Sequence, residues 1–382
     1  LAFGRLQEAL AKGFGLTSLQ ILDTTLRDGS YAVNFSFTAN DTAIIAKSLE
    51  AAGIEWIEIG HGVGFHGREK GYGQSIQTDE EYIAATAQAL TTARWGMFCI
   101  PGIAEVDDLN MAADYGMSFV RVGTDVSKVY QSQLFIERAK SLGMTVMANY
   151  MKSYTMPPAE FAKQVKLSES YGADVVYIVD SSGGMFPDQL KAYAEAIRAI
   201  STIRLGFHGH NNLGQAVSNS LCAAELGITL IDASLQGLGR SSGNAPTEQV
   251  VAALLKKGVP LSVDFLKLLE LGKQYIQPLI RQSGLEPLDI IAGFSDFHTS
   301  YMHHIHRCAA KYQVKPELLI MAICEHSKIE VDPQLLETIA MGLQGDQKPF
   351  LAQYNFNRYI GHEQDEPEFD KTTDKTVLPN IP

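Results

Sequence analysis

The segments MTVMANY (144–150), PAEFAKQVKLSESYG (158–172), DVVYIVD (174–180), PDQLKAYAEAIRAI (187–200) and IRLGFH (203–208) decide the fold. Short apolar runs alternate with longer amphipathic stretches, the pattern expected when helices cover a parallel sheet. The same rhythm extends upstream through LQIL (19–22), IEWIEIG (54–60), RWGMFCI (94–100) and MSFVRVG (117–123), and downstream to ITLIDAS (228–234). That makes eight candidate strands. The stretches TANDTAIIAKSLEAAG, TDEEYIAATAQAL and QSQLFIERAKSLG read as further helices between them, with Thr38, Thr78 and Pro187 where helix starts are expected. An open doubly wound sheet is the competing arrangement. Eight units ending near residue 255 favour an α/β protein built as a (β/α)8 TIM barrel.

At 382 residues and 46% hydrophobic composition, the chain can bury a large core and exceeds the roughly 250 residues of a plain barrel. The rhythm changes after KKGVPLSVDF, and the run DFLKLLELGKQYIQPLI opens a mostly helical region. The expected division is an N-terminal extension at 1–18, a catalytic barrel at 19–260, a helical domain at 261–345, and a partly flexible C-terminal extension at 346–382. The formal net charge of -12 leaves no broad basic field for a phosphate backbone, so nucleic acid is not an expected partner. Cys99, Cys222, Cys308 and Cys324 lie far apart without a CxxC pair, which argues against a disulfide scaffold or a thiolate zinc site and for a reducing, cytoplasmic setting. LAFGRLQEALAKGFGL is too polar and too short for a membrane span, so no membrane association is expected.

Barrel active sites form at the C-terminal ends of strands, and polar residues gather there. LDTTLRDGSY (22–31) places Asp23, Arg27 and Asp28 after the first strand, and FHGHNNLG (207–214) places His208 and His210 at the end of the seventh. Asp180 and Ser181 follow the sixth, and Asp232 ends the eighth. First and seventh strands both flank the eighth in a closed ring, so Asp28 can meet the histidines across the mouth. In an extended HGH the two imidazoles point the same way. Two imidazoles and a carboxylate with open positions suit a borderline divalent ion such as Mn, Co, Zn or Fe(II). Such an ion would chelate a keto acid and stabilise an enolate, and Arg27 is suited to the oxygen where charge develops.

The glycine-rich LQGLGRSSGNAPTE (235–248) lacks GKS or GKT and is not a nucleotide loop. Within it, Asn244 can add an oxygen ligand or simply order the loop, and Arg240 can hold a substrate anion. His61 and His66 in HGVGFHG either touch substrate or face solvent. DFHTSYMHHIHRC carries His298, His303, His304 and His306 without HExxH spacing, so a polar helix face is expected, with His298 or Tyr301 reaching the barrel mouth.

At LDTTLRDGSY, the HG turn followed by TDEEYI, ESYGADVVYIVDSSGGM, HGHNNLGQAVSNSLCAAELG and IDASLQGLGRSSGNAPTEQV, the chain resembles the metal-dependent aldolase and Claisen-type superfamily that includes HMG-CoA lyase. Within it, the sequence is most similar to the 4-hydroxy-2-oxovalerate aldolases, over about residues 20 to 310. The resemblance implies retro-aldol cleavage of a 4-hydroxy-2-keto acid to pyruvate and an aldehyde, commonly with Mn2+, with Mg2+, Co2+ or Zn2+ as alternatives. It implies Asp28, His208 and His210 as metal ligands, Asn244 as an additional one, Arg27 as the enolate-stabilising group, and Ser181 on the keto-acid carboxylate. The helical extension resembles the domain that, in aldolases coupled to an aldehyde dehydrogenase, helps form the intermediate channel. A homodimer is the expected assembly.

The chain departs from the aldolases at Tyr31, where a histidine typically serves as the acid-base group. A phenol of ordinary pKa near 10 is a poor base at neutral pH, which makes His298 the candidate relocated base. Claisen chemistry on an acyl thioester, and a catalytically silent barrel serving as partner subunit or scaffold, are the competing functions.

Overall fold

The computed structural model describes residues 19–280, 286–343, 354, 356–359 and 361. Eight parallel strands close a barrel in chain order: β1 (Gln20–Asp23), β2 (Trp56–Ile59), β3 (Arg94–Cys99), β4 (Phe119–Asp125), β5 (Thr145–Met151), β6 (Val175–Asp180), β7 (Arg204–Gly209) and β8 (Leu230–Ala233). β8 closes onto β1 with Gln20 opposite Leu230 and Ala233 opposite Asp23. A helix follows each strand: α1 (Ala39–Ala51), α2 (Asp79–Ala89), α3 (Val106–Asp114), α4 (Gln133–Ser141), α5 (Pro158–Tyr171), α6 (Pro187–Arg198), α7 (Ala216–Glu225) and α8 (Thr247–Lys256). Thr38 and Thr78 cap α1 and α2 in reciprocal capping boxes, and Pro187 occupies the first turn of α6, as expected. The strands differ from expectation at their ends. β2 and β8 are shorter than IEWIEIG and ITLIDAS, while β4 and β5 run on to Asp125 and Met151.

The two-residue period of each strand sorts the side chains. Ile57, Ile59, Val120, Val122, Val146, Ala148, Val176 and Ile178 face the helices in the main core. Leu22, Trp56, Phe119, Met147, Val175, Tyr177, Val179 and Leu230 fill the barrel interior. One step along the same inward rows, toward the C-terminal ends, stand Glu58 after Trp56, Arg121 after Phe119, Asn149 after Met147 and Asp232 after Leu230. The barrel is thus plugged by an apolar layer below and floored by a polar layer above, and that floor positions the site.

The helical region begins with α9 (Phe265–Leu271), whose Leu268 and Leu271, with Ile276 beyond it, join the barrel core. The expected long run does not continue as one α-helix. A wide π-type turn at Gly272–Ile276 and a 3-10 turn at Gln277–Leu279 follow, and the latter contains Pro278. Helices α10 (Pro287–Ser295), α11 (Met302–Tyr312), α12 (Pro316–His326) and α13 (Pro333–Leu343) surround a second core of Leu288, Met302, Ile305, Leu319, Ile320, Ile323 and Leu336. Lys152, at the end of β5, reaches that region from the barrel, donating to Tyr301 Oη at 2.9 Å and to the Ile329 carbonyl at 3.3 Å.

The expected N-terminal extension lies outside the described residues, as does most of the C-terminal one. Of the latter, Arg358 donates to the Ser241 carbonyl at 2.7 Å and pairs with Asp289 at 3.0 Å, tying the strand-eight loop to α10. Among the described residues, no helix is long and apolar enough to cross a membrane.

Candidate metal centre and active-site cleft

The polar floor opens into a cleft of about 350 Å³, including space open to solvent, lined by Arg27, Asp28, Tyr31, Phe98, Ser181, His208, His210 and Arg240 among others. Asp28, His208 and His210 each offer one ligand atom, and these lie within 4.8 Å of one another with all three residues buried. The two imidazoles stand 5.0 Å apart on one side of the extended HGH, as the period of two requires.

Each ligand is held from behind. His208 Nδ1 faces Asp232 Oδ2 at 2.8 Å, which fixes the ring and leaves Nε2 for an ion. His210 Nδ1 faces the Gly243 carbonyl at 3.4 Å. Arg27 Nη1 donates to Asp28 Oδ1 at 2.7 Å, and Asn244 Nδ2 donates to Asp28 Oδ2 at 2.8 Å. Arg27 Nε and Arg121 Nη1 both donate to Glu58 Oε2, at 2.8 and 2.9 Å, and Arg121 Nη2 pairs with Asp232 Oδ2 at 2.6 Å. A continuous buried chain of alternating charge therefore runs Asp28, Arg27, Glu58, Arg121, Asp232 to His208, spanning the ends of β1, β2, β4, β8 and β7. Both guanidiniums also rest on aromatic faces, Arg27 4.9 Å from the Phe98 centroid and Arg121 4.3 Å from that of Tyr177.

Burial alone would raise the Asp28 carboxyl. The Arg27 guanidinium, then His210, His208 and Arg240, overcome that and hold it well below the usual carboxylate range. Burial drives His210 well below the ordinary imidazole value, so it presents a neutral ring with a lone pair. An ionised carboxylate and neutral imidazoles are the protonation states that bind a divalent cation. The Oδ1 of Asn244 is buried without a hydrogen-bond partner, which suits a further oxygen ligand. Gly239 makes this approach possible, because a Cβ there would lie 2.8 Å from Asp28 Oδ2 and 2.6 Å from Asn244 Nδ2.

The remaining sequence candidates divide. Ser181 lines the cleft; its Oγ accepts from the Lys152 backbone N–H at 2.9 Å, leaving its own hydroxyl hydrogen for another acceptor. Tyr31 lines the cleft edge-on to Phe35, at 5.3 Å between centroids. His298 is buried behind Arg240, with Nε2 2.9 Å from Arg240 Nη2 and Nδ1 2.7 Å from Ser300 Oγ, and it does not itself line the cleft. His61 differs from both expectations. It is 1% exposed, stacked on Phe35 at 4.1 Å, and holds its own loop through the Val63 N–H and the Gly73 carbonyl, so it neither faces solvent nor lines the cleft. His66 pairs with Asp108 at 2.7 Å. Glu58 and Arg121 were not singled out by their sequence, although a charge inside each of the apolar runs IEWIEIG and MSFVRVG is the signal that marks them.

A closed (β/α)8 barrel with a buried Asp, His, His set at its C-terminal mouth is the build of a divalent-metal enzyme. The chain belongs to the HMGL-like family, which matches residues 18–274. It is 40% identical over 297 residues to a 4-hydroxy-2-oxovalerate aldolase of Carboxydothermus hydrogenoformans, covering 78% of this chain and 88% of that one. It is 37% identical over 327 residues to the 4-hydroxy-2-oxovalerate aldolase of Moorella thermoacetica, covering 85% and 97%. Among solved structures, the fold matches the HMG-CoA lyase of Bacillus subtilis with a TM-score of 0.57 at 20% identity, over 69% of this chain and 94% of that one. It also matches the carboxyl transferase domain of Rhizobium etli pyruvate carboxylase with a TM-score of 0.71 at 15% identity, over 88% and 62%.

Two outcomes follow from this geometry. Replacing Asp232 by Ala removes the group that orients His208, and metal titration should show affinity weakened about 10- to 100-fold; unchanged affinity would mean that Asp232 does not support the ligand. Separately, burial lowers the His61 imidazole from 6.5 to about 4, offset only in part by the Gly73 carbonyl. Between these values the unfolded chain binds the extra proton, so this group makes stability fall as pH drops. Denaturant titrations should show His61→Gln gaining on the parent by up to about 1.4 kcal/mol for each pH unit descended through that window. Parallel pH curves for the two proteins would contradict the buried, neutral ring.

Proposed function

We propose that the protein cleaves a 4-hydroxy-2-keto acid by a retro-aldol reaction, releasing pyruvate and an aldehyde, with Mn2+ as the working ion at Asp28, His208, His210 and Asn244. The observation that carries this reading is the guanidinium of Arg27 fixed beside the ligand Asp28 at the edge of the same cleft. The ion supplies electrostatic stabilisation for negative charge that develops on the 2-keto oxygen as the carbon–carbon bond breaks.

The chain's own groups account for the rest. Arg27, braced by Glu58 and Phe98, presents donor capacity to the enolate oxygen without having to reorganise during the reaction. Ser181 offers its hydroxyl hydrogen to the keto-acid carboxylate. The 4-hydroxyl proton must leave as the C3–C4 electron pair moves into the enolate, which then takes a proton at C3 to give pyruvate. Tyr31 hydrogen-bonds the 4-hydroxyl in this scheme. His298 is the candidate proton acceptor in this scheme, its Nε2 standing 2.9 Å behind Arg240 Nη2. Homodimerisation, a cytoplasmic setting and handover of the aldehyde to a dehydrogenase belong to the same proposal.

Pyruvate release from a panel of 4-hydroxy-2-keto acids, run beside acetyl thioester condensation, tests the reading. Metal-loaded protein should release pyruvate, chelated protein should not, and Arg27→Ala, assayed at a Mn2+ concentration that keeps its site filled, should lower kcat about 100- to 1,000-fold. Thioester consumption without pyruvate release would assign the barrel to Claisen chemistry instead. Full metal occupancy without either activity would favour a scaffold.

A further inference from the structure

Arg240 is a buried cation without an anion. It is 6% exposed, and among the described residues no carboxylate lies within ion-pair distance of it. Its Nη2 meets His298 Nε2 at 2.9 Å and its Nε meets His210 Nε2 at 3.3 Å, while Nη1 is buried with no partner. A planar guanidinium with an unused donor, lining the cleft, fits a carboxylate better than any neutral group. An ion on His210 Nε2 would take the lone pair that Arg240 Nε now faces, leaving a second donor to be satisfied.

The charge balance indicates how many acid groups the cleft requires. Asp28, Glu58 and Asp232 share Arg27 and Arg121 in ion pairs, and Arg240 is the third cation, which makes the buried set neutral. Neighbouring acids have their own partners: Asp125 pairs with Lys152, Asp296 pairs with Lys328, and the Asp180 carboxylate accepts from the Gly184 and Met185 N–H groups at 3.1 and 3.0 Å. A divalent ion with neutral imidazoles adds two positive charges. A 2-keto monocarboxylate returns one of them; a dicarboxylate returns both, and uncompensated charge in a buried site is costly.

Position agrees with this count. Ser181 follows β6 and Arg240 follows β8, so the two anion-holding groups flank the histidines of β7. We propose that Arg240 binds a second, distal carboxylate, so that the preferred substrates are 4-hydroxy-2-keto dicarboxylic acids whose aldehyde product itself bears an acid group. His298 positions the guanidinium by accepting from Nη2. This assignment rests on the retro-aldol reading above for the role of the keto acid, but its test is a binding measurement that requires no turnover.

Calorimetric titration of the Mn2+-loaded protein with 2-oxoglutarate and 2-oxopentanoate compares two five-carbon keto acids that differ in the distal carboxylate. The parent should bind 2-oxoglutarate about 10- to 100-fold more tightly. Arg240→Gln should lose most of that difference while holding 2-oxopentanoate within about threefold, and Arg240→Lys should keep part of it; one bound ion per chain in each variant verifies an intact centre. An equal loss for both acids would place Arg240 on the carboxylate they share and overturn the assignment, as would a parent that does not discriminate. If the metal-loaded parent bound neither acid, the keto-acid reading itself would fail along with it.

Discussion

The site depends on keeping five ionised groups and an imidazole buried in one connected chain. Glu58 is its hinge: one carboxylate oxygen accepts from Arg27 on the β1 side and from Arg121 on the β4 side, whereas Asp28 pairs with Arg27 alone and Asp232 with Arg121 alone of the two. Removing a member of such a chain strands a charge in a dry interior, a cost on the order of 3–5 kcal/mol, whereas the intact chain is not by itself a large source of stability. Its value is geometric. It fixes Asp28 from one end and His208 from the other, so the two strand mouths that would share an ion are held in register before any ligand arrives.

The barrel supplies what that chain requires. Parallel strands of period two place Glu58, Arg121 and Asp232 one step above an apolar plug of Trp56, Phe119 and Leu230, which keeps water from reaching the charges from below. The C-terminal helices complete the upper side. Lys152 reaches across to Tyr301 and Ile329, and Arg358 ties the Ser241 carbonyl to Asp289, while His298 meets Arg240 from behind the cleft wall. Arg27, Ser181 and Arg240 lie between regular elements, whose rigid ends on both sides set their positions.

Much of this was legible in the sequence because it is local. The alternation that gives eight strands, the shared direction of His208 and His210, and the Arg27–Asp28 pair all follow from spacing along one strand or turn. Asn244 and Arg240 were marked by a glycine-rich loop that allows close backbone approach. What was not legible depends on partners distant in sequence. His61 and His298 carry the same side chain in similar polar surroundings, yet Phe35 stacks the first into its loop and Arg240 draws the second toward the cleft. Glu58 and Arg121 are separated by 63 positions, and only barrel closure makes them neighbours.

Anomalous diffraction from crystals grown with manganese addresses the central claim most directly. The account predicts one strong peak, at full occupancy, within bonding distance of Asp28, His208 and His210, with Asp232 still on the far nitrogen of His208. An ion bound elsewhere, or imidazoles turned away from Asp28 with no density between them, would contradict it.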